Sequence, residues 1–263
     1  MKKICLIIFL LILAAQAGAA PNEDSLKYGL LVTTLQEPPV LGSRSEIEKL
    51  VRFSKENHID TIFIQIYRAN RSYFPSSVGD SAPYKAYVKK VGEDPLVLLI
   101  KKAHESGIKV YAWINMMSLA ENKNAVILKK YGTSILTCGP SEKKRVEDYE
   151  TDKQYFMEPG DLRVRQELVD MTGEIVSSYV ELDGLLFDYI RYPDMDPPYG
   201  YSASNVARFK KVYGRKHISE KDSDWKNWKR RQVTETLEAV AHKARSLNHD
   251  IEISATACAP YTR

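Results

Sequence analysis

Cysteine is scarce in this chain, with three in 263 residues. Cys5 lies in an apolar run near the start, which leaves Cys138 and Cys258. No CxxC spacing occurs and the five histidines are scattered, which argues against a structural zinc site and against any metal. No GxGxxG or phosphate-loop spacing follows a candidate strand, so nothing points to a nucleotide or dinucleotide cofactor. Beyond Leu13 no stretch is long and apolar enough to span a bilayer. An excess of one charge is also lacking: 38 basic against 34 acidic residues give a net charge of +4. That balance offers no case for nucleic acid or an anionic membrane as partner. Internal repeats and low-complexity linkers are absent as well.

The start of the chain reads as an export signal. Lys2 and Lys3 form a charged n-region, Ile4 to Leu13 an apolar h-region, and Ala15-Gln16-Ala17 or Ala17-Gly18-Ala19 a small-residue cleavage site. Residues 1–19 are thus expected to be a signal peptide. Residues 20–263 are expected to be one secreted or periplasmic domain without stable membrane insertion. Removal of the two signal lysines lowers the net charge from +4 to +2. Cys138 and Cys258 fall on non-adjacent elements of that domain and are expected to be free thiols.

Strands and helices alternate along the chain. Lys27 to Thr34 reads as a first strand. Ser45-x-x-Glu48 reads as a capping box ahead of a helix whose apolar face is Ile47, Leu50, Val51 and Phe53. Thr61 to Tyr67 is a second strand with Phe63, Gln65 and Tyr67 on one face. An aromatic loop follows, containing Tyr73, Phe74, Tyr84 and Tyr87. Asp94 caps the next helix with Pro95 in its first turn, and Gly107 ends it. Lys109 to Asn115 is a third strand that places Tyr111, Trp113 and Asn115 on a common face. An insertion from Ser118 to Gly160 holds a short helix (Ala125 to Tyr131) and a hairpin whose second arm is Tyr155-Phe156-Met157. Asp161 then caps a helix with Val164, Leu168, Met171, Ile175 and Tyr179 at core spacing. After the fourth strand, Ser202 to Tyr213 and Trp225 to Leu247 read as helices, and Ile251 to Cys258 as the last strand.

The fourth strand, Asp183-Gly184-Leu185-Leu186-Phe187-Asp188-Tyr189-Ile190-Arg191-Tyr192-Pro193, organises the rest. Its apolar run reads as a strand buried on both faces. Alternation puts Leu186 and Asp188 on one side and Leu185 and Phe187 on the other. A carboxylate at the C-terminal tip of a parallel strand is where α/β barrels keep their chemistry. The pattern predicts an α/β fold of the TIM (β/α)8 type with about five strands present. A closed barrel has eight, so the expectation is a domain incomplete at its C-terminal side by on the order of a hundred residues.

With these elements placed, the chain resembles the bacterial glycosyl-hydrolase-like family ten, distantly similar to amylase-type barrels. The resemblance is carried by the first strand, Ser72-Tyr73-Phe74-Pro75-Ser76-Ser77, Asp94-Pro95-Leu96 with Ala103-His104, and Ala112-Trp113-Ile114-Asn115. It extends through Glu158-Pro159-Gly160, Asp183-Gly184 to Pro193, and Trp225-x-x-Trp228-x-Arg230-Arg231. It implies a TIM barrel, an envelope location and a polysaccharide partner, with cell-wall glycan strands as a target. By the same resemblance Asp188 falls where amylase-like barrels keep the strand-four nucleophile. Tyr189 stands where relatives carry a second acid, and no acid follows the fifth strand.

Glycoside hydrolysis generally uses two carboxyl groups. Asp188 is the first candidate. Glu158, between an aromatic hairpin arm and a helix start, is the second; the alternative for it is a turn acid near a helix N-terminus. Arg191 is placed either to hold Asp188 ionised or to bind substrate, or else in a surface ion pair. Asn115 and Trp113 suit hydrogen bonding and sugar stacking, with core packing a strong alternative for Trp113, and Gln65 is a buried polar group in need of partners. Tyr73, Tyr192 and Trp228 are candidates for the cleft wall, with core packing the alternative for the tryptophan. The expected function is an envelope glycosidase. The competing one is a carbohydrate-binding barrel that has lost its second carboxylate. A metal-dependent hydrolase would need a His/Asp cluster that the sequence does not show.

Overall fold

The computed structural model describes residues 27–257 apart from 142, 144, 152, 194–198 and 216. The expected signal peptide and Cys258 lie outside the described residues. In chain order the elements are β1 (Gly29–Val32), α1 (Arg44–Glu56), β2 (Thr61–Arg68), β3 (Arg71–Ser72), α2 (Ala82–Val91) and α3 (Pro95–His104). Then come β4 (Lys109–Asn115), β5 (Ser118–Ala120), α4 (Val126–Tyr131), β6 (Tyr155–Phe156) and α5 (Leu162–Ser178). The described chain closes with β7 (Gly184–Asp188), α6 (Ala203–Tyr213), α7 (Ser223–Leu247) and β8 (Glu252–Ala255).

Five parallel strands lie in the order β1-β2-β4-β7-β8, the order in which they occur in the chain. Each unit adds its strand beside the previous one. That is the progression of a TIM-type barrel wall; a doubly wound sheet would reverse direction midway. β3 folds back antiparallel on β2, and β5 pairs antiparallel with β6 in a separate small sheet, the predicted insertion hairpin.

The two sheet faces differ in what covers them. Ile62, Ile64, Ile66, Val110, Ala112, Ile114, Leu185 and Phe187 point outward into the core beneath the helices. Alternation sends Phe63, Gln65, Tyr111, Trp113, Asn115, Leu186, Asp188 and Ser254 to the inner face. There Phe63, Trp113, Asp188 and Ser254 keep partial exposure. Gly184 is required on that face by its neighbour: a Cβ would sit 2.3 Å from the Tyr111 ring.

Several predicted elements shift. β1 and β8 are shorter than read, which leaves Thr33, Thr34 and Thr256 just past the strand tips. The N-cap of α1 is Ser43, and Ser45 sits inside the first turn with its hydroxyl 2.8 Å from that of Ser43. Phe53, expected in the core, is 51% exposed, and Ser54 takes the buried position. Tyr84 and Tyr87, expected in a loop, belong to α2, whose first turn carries Pro83. Asp94 caps α3 as predicted, accepting from the backbone of Leu96 and Val97, and Asp161 caps α5 through Arg163 N. Asp183 anchors the N-terminal end of β7 by accepting Val110 N at 2.7 Å.

Candidate active site at the carboxyl ends of the strands

β7 ends abruptly because Tyr189 takes a left-handed conformation (φ 53°), a costly one for a bulky L-residue. Two backbone bonds fix this kink to the loop after β4: Met116 N donates to Asp188 O and Met117 N to Tyr189 O. Met117 O in turn accepts from Met157 N, so the hairpin insertion braces the strand tip.

The Asp188 carboxylate projects from that tip on the inner face and accepts three hydrogen bonds. The Trp113 indole donates to Oδ2 at 3.0 Å, while Tyr189 N and the Thr256 hydroxyl donate to Oδ1 at 2.8 and 2.5 Å. Three strands therefore orient one acid, and it remains only partly buried. Beside it Asn115, the register partner of Asp188, accepts from Gln65 Nε2 at 3.1 Å. Gln65 Oε1 accepts from Thr33 Oγ1, Thr34 N and Thr34 Oγ1 at 2.9–3.1 Å. A polar layer thus runs across the rim of all five strands, and it gives partners to both the amide oxygen and the amide nitrogen of the buried Gln65. The amide nitrogen of Asn115 makes no hydrogen bond among the described residues. Tyr73 joins this rim: it lines a narrow crevice with Thr33, Thr34 and Gln65, and its ring lies 5.6 Å from that of Tyr87.

The remaining candidates are placed elsewhere. Arg191 lies with its guanidinium over the Tyr189 ring, 5.0 Å from the centroid. Glu158, considered as the second acid, is fully buried and closed to solvent. Its Oε1 accepts the Tyr192 hydroxyl at 2.6 Å and Gly160 N at 3.1 Å. Its Oε2 makes no well-formed hydrogen bond among the described residues, with the Thr137 and Ser202 hydroxyls nearby. Tyr192, expected on the cleft wall, spends its hydroxyl on this contact; burial and the Glu158 carboxyl push its phenol well above the ordinary value. Trp228, also expected on the wall, is 3% exposed and donates its indole N–H to Asn205 Oδ1 at 2.7 Å. It packs with Phe209 and Trp225 in a satellite core at the start of α7, so neither tryptophan offers a face to a sugar. Cys138 is a buried free thiol, pushed up to about 11 by burial and then by the Glu158 charge.

Burial raises the Glu158 carboxyl above its ordinary value, and the hydrogen bonds from Tyr192 and Gly160 only temper this. A raised carboxyl holds its proton in the folded state after the unfolded chain has released its own. The contribution of Glu158 to stability is then fully present below the ordinary carboxylate value, 4.5, and is lost as pH rises through the folded value. Glu158→Gln keeps an acceptor for Tyr192 and cannot ionise. Thermal melts should therefore superimpose with wild type below that pH and separate above it, with the variant the more stable. A variant less stable at neutral pH would mean that the folded state needs the Glu158 charge.

Among the described residues no group of three or more His, Cys, Asp or Glu side chains is arranged to hold a metal ion. No helix among them is long and apolar enough to cross a membrane.

A parallel wall with strands in chain order, covered by helices outside and carrying one oriented carboxylate at the strand tips, defines a TIM-barrel-type α/β protein. The chain belongs to the glycosyl hydrolase-like 10 family, whose model matches residues 32–262. It is 24% identical over 240 residues to the glycosyl hydrolase DigH of Escherichia coli K12, a match covering 84% of this chain and 52% of that protein. The chain thus spans about half the length of the curated relatives it matches. Among solved structures it is similar to α-L-fucosidase isoenzyme 2 from Paenibacillus thiaminolyticus (TM-score 0.63, 14% identity, 88% of this chain and 33% of that one). It is also similar to the PgaB (BpsB) glycoside hydrolase domain from Bordetella bronchiseptica (TM-score 0.62, 13% identity, 88% and 65%). At these identities the structural likenesses establish the fold.

Proposed function

We propose that the protein is a glycoside hydrolase acting on a polysaccharide, with Asp188 as nucleophile or general base. The observation that carries this is the Asp188 carboxylate, held at the tip of β7 by donors from three strands yet still reachable from the inner face. Hydrolysis through an oxocarbenium-like transition state needs such an acid next to the anomeric carbon. Trp113 orients the carboxylate through its indole N–H while its partly exposed ring offers a stacking face, and the free Asn115 amide suits a sugar hydroxyl. The general acid is assigned to a later strand of a protein of the relatives' full length, since Glu158 is fully buried. The n-region lysines and small-residue cleavage site of residues 1–19 support an envelope location, and there cell-wall glycan strands are the substrate we favour.

A second reading, a carbohydrate-binding barrel without turnover, draws on one observation. Among the described residues Asp188 is the only acid that the five parallel strands themselves carry at their carboxyl ends. Release of reducing ends from purified polysaccharides, by full-length wild type and Asp188→Asn, separates the two. Asp188-dependent release supports the hydrolase. Binding without release by the wild type would establish the second reading.

A further inference from the structure

A cleft of about 690 Å³ opens between the β2–β3 turn, the end of β5 and the approach to β6. It is lined by Arg68, Arg71, Lys123 and Lys153 against a single acid, Glu121. Lys123 pairs with Glu147 at 3.1 Å. Arg68, Arg71 and Lys153 have no ion-pair partner among the described residues.

The two arginines are register partners directly across the β2–β3 ladder. Like charges in that position repel and destabilise a strand pair, so an unneutralised arginine pair is an arrangement that folding alone would not favour. The turn between them is tight: Ala69 and Asn70 both have left-handed backbones (φ 56° and 59°), which brings both arginine stems to the same end of the ladder. Ala120 and Lys153 on the facing walls are left-handed too (φ 47° and 57°). Such conformations cost on the order of 1–2 kcal/mol for an L-residue other than Asn or Gly, and they concentrate where a site must be shaped. The walls are braced by Asn122 Nδ2 donating to Ala69 O at 2.7 Å and Ser118 Oγ donating to Gln154 Oε1 at 2.8 Å. The backbone that carries the cations is therefore shaped before any ligand arrives.

We propose that this cleft is a subsite for oxyanionic substituents, carboxylate or phosphate, carried on a polysaccharide. The two guanidinium forks match such groups bidentately, and Lys153 adds a point charge. The cleft follows β2 and β4 and so lies at the carboxyl end of the sheet, the end that carries Asp188. A polymer seated at Asp188 would extend over it. The polymer class rests on the function proposed above; the charge preference rests on the cleft alone.

Titration calorimetry of the purified protein with three polysaccharides of matched length tests this: a polyuronate, a phosphodiester-linked glycan and a neutral glucan. At least one anionic polymer should bind ~10-fold or more tighter than the neutral one, and that advantage should shrink as salt rises. Arg68→Gln/Arg71→Gln should remove it, a loss of ~10-fold or more in affinity, and Lys153→Gln a smaller part. The preferred anionic polymer identifies carboxylate or phosphate as the group read. The double variant should melt no lower than wild type, because a repulsive pair has been relieved. Equal affinity for charged and neutral polymers, or an undiminished preference in the double variant, would overturn the subsite. If Arg-dependent binding is found without hydrolysis, the subsite stands and the hydrolase reading falls. Asp188-dependent hydrolysis without charge preference gives the reverse.

Discussion

Asp188→Asn should lower turnover on polysaccharide by at least ~10³-fold in the full-length protein, with affinity close to wild type. The substitution keeps side-chain volume but removes the charge that faces the developing oxocarbenium ion, or the nucleophile itself, a loss worth several kcal/mol. The local hydrogen bonds predict a second, smaller effect. The wild-type carboxylate accepts from Trp113, Tyr189 N and Thr256. An asparagine that keeps its oxygen toward Tyr189 N and Thr256 turns its amide nitrogen toward the indole N–H, donor against donor. That lost bond should cost stability of about 1 kcal/mol. Reducing-end release and affinity are to be measured on the same preparations. Turnover at the wild-type level would remove Asp188 from the mechanism, whatever the affinity.

What the sequence made legible was local and periodic. Alternation along residues 183–193 put Asp188 on the correct face, and Asp94 and Asp161 were readable as caps because a cap and its helix are adjacent in sequence. The misreadings have the opposite character. Ser45-x-x-Glu48 satisfies a capping-box pattern, yet the tight turn at Val40–Gly42 delivers the chain to the helix two residues earlier, at Ser43. The helix holding Tyr84 and Tyr87 carries them with Val88 and Val91 at i, i+3, i+4, i+7 spacing, a stripe that the reading of an aromatic loop passed over. Tyr84 donates to the Asp94 carboxylate, ten residues on. Trp228 and Glu158 sit where open-face residues would, but their partners Asn205 and Tyr192 are 23 and 34 residues away. No spacing rule reveals such partners. The same holds for the donors that orient Asp188: the strand was readable, whereas Trp113 and Thr256 meet it only through the sheet. The cationic cleft gathers residues from three separate turns, and its strongest signal, left-handed Ala69 and Ala120, has no signature in residue type.

Gly160→Ala should be the most damaging single-carbon change in the domain. Gly160 does not adopt a left-handed backbone; the glycine is there for space. A Cβ would stand 2.0 Å from Asn205 Oδ1 and 2.3 Å from its Cγ. Asn205 cannot move aside, because it is wholly buried, accepts the Trp228 indole and donates to Gly200 O, each at 2.7 Å. Nor can residue 160 retreat freely, since its carbonyl accepts from Arg208 and its N–H donates to Glu158. Relief therefore breaks buried hydrogen bonds in addition to overpacking the interface. Overpacking costs about 1–3 kcal/mol, and each buried polar group left unpaired about 1–3 more. The expected loss is ~3 kcal/mol or more, a fall in Tm of roughly 6–12 °C for a domain of this size. Gly107→Ala provides the comparison: its backbone is left-handed (φ 73°), but a Cβ there meets nothing within 4 Å. That variant isolates backbone strain, about 1–2 kcal/mol, from collision. If Gly160→Ala melts no lower than Gly107→Ala, the close approach of α6 is not what holds glycine at this position.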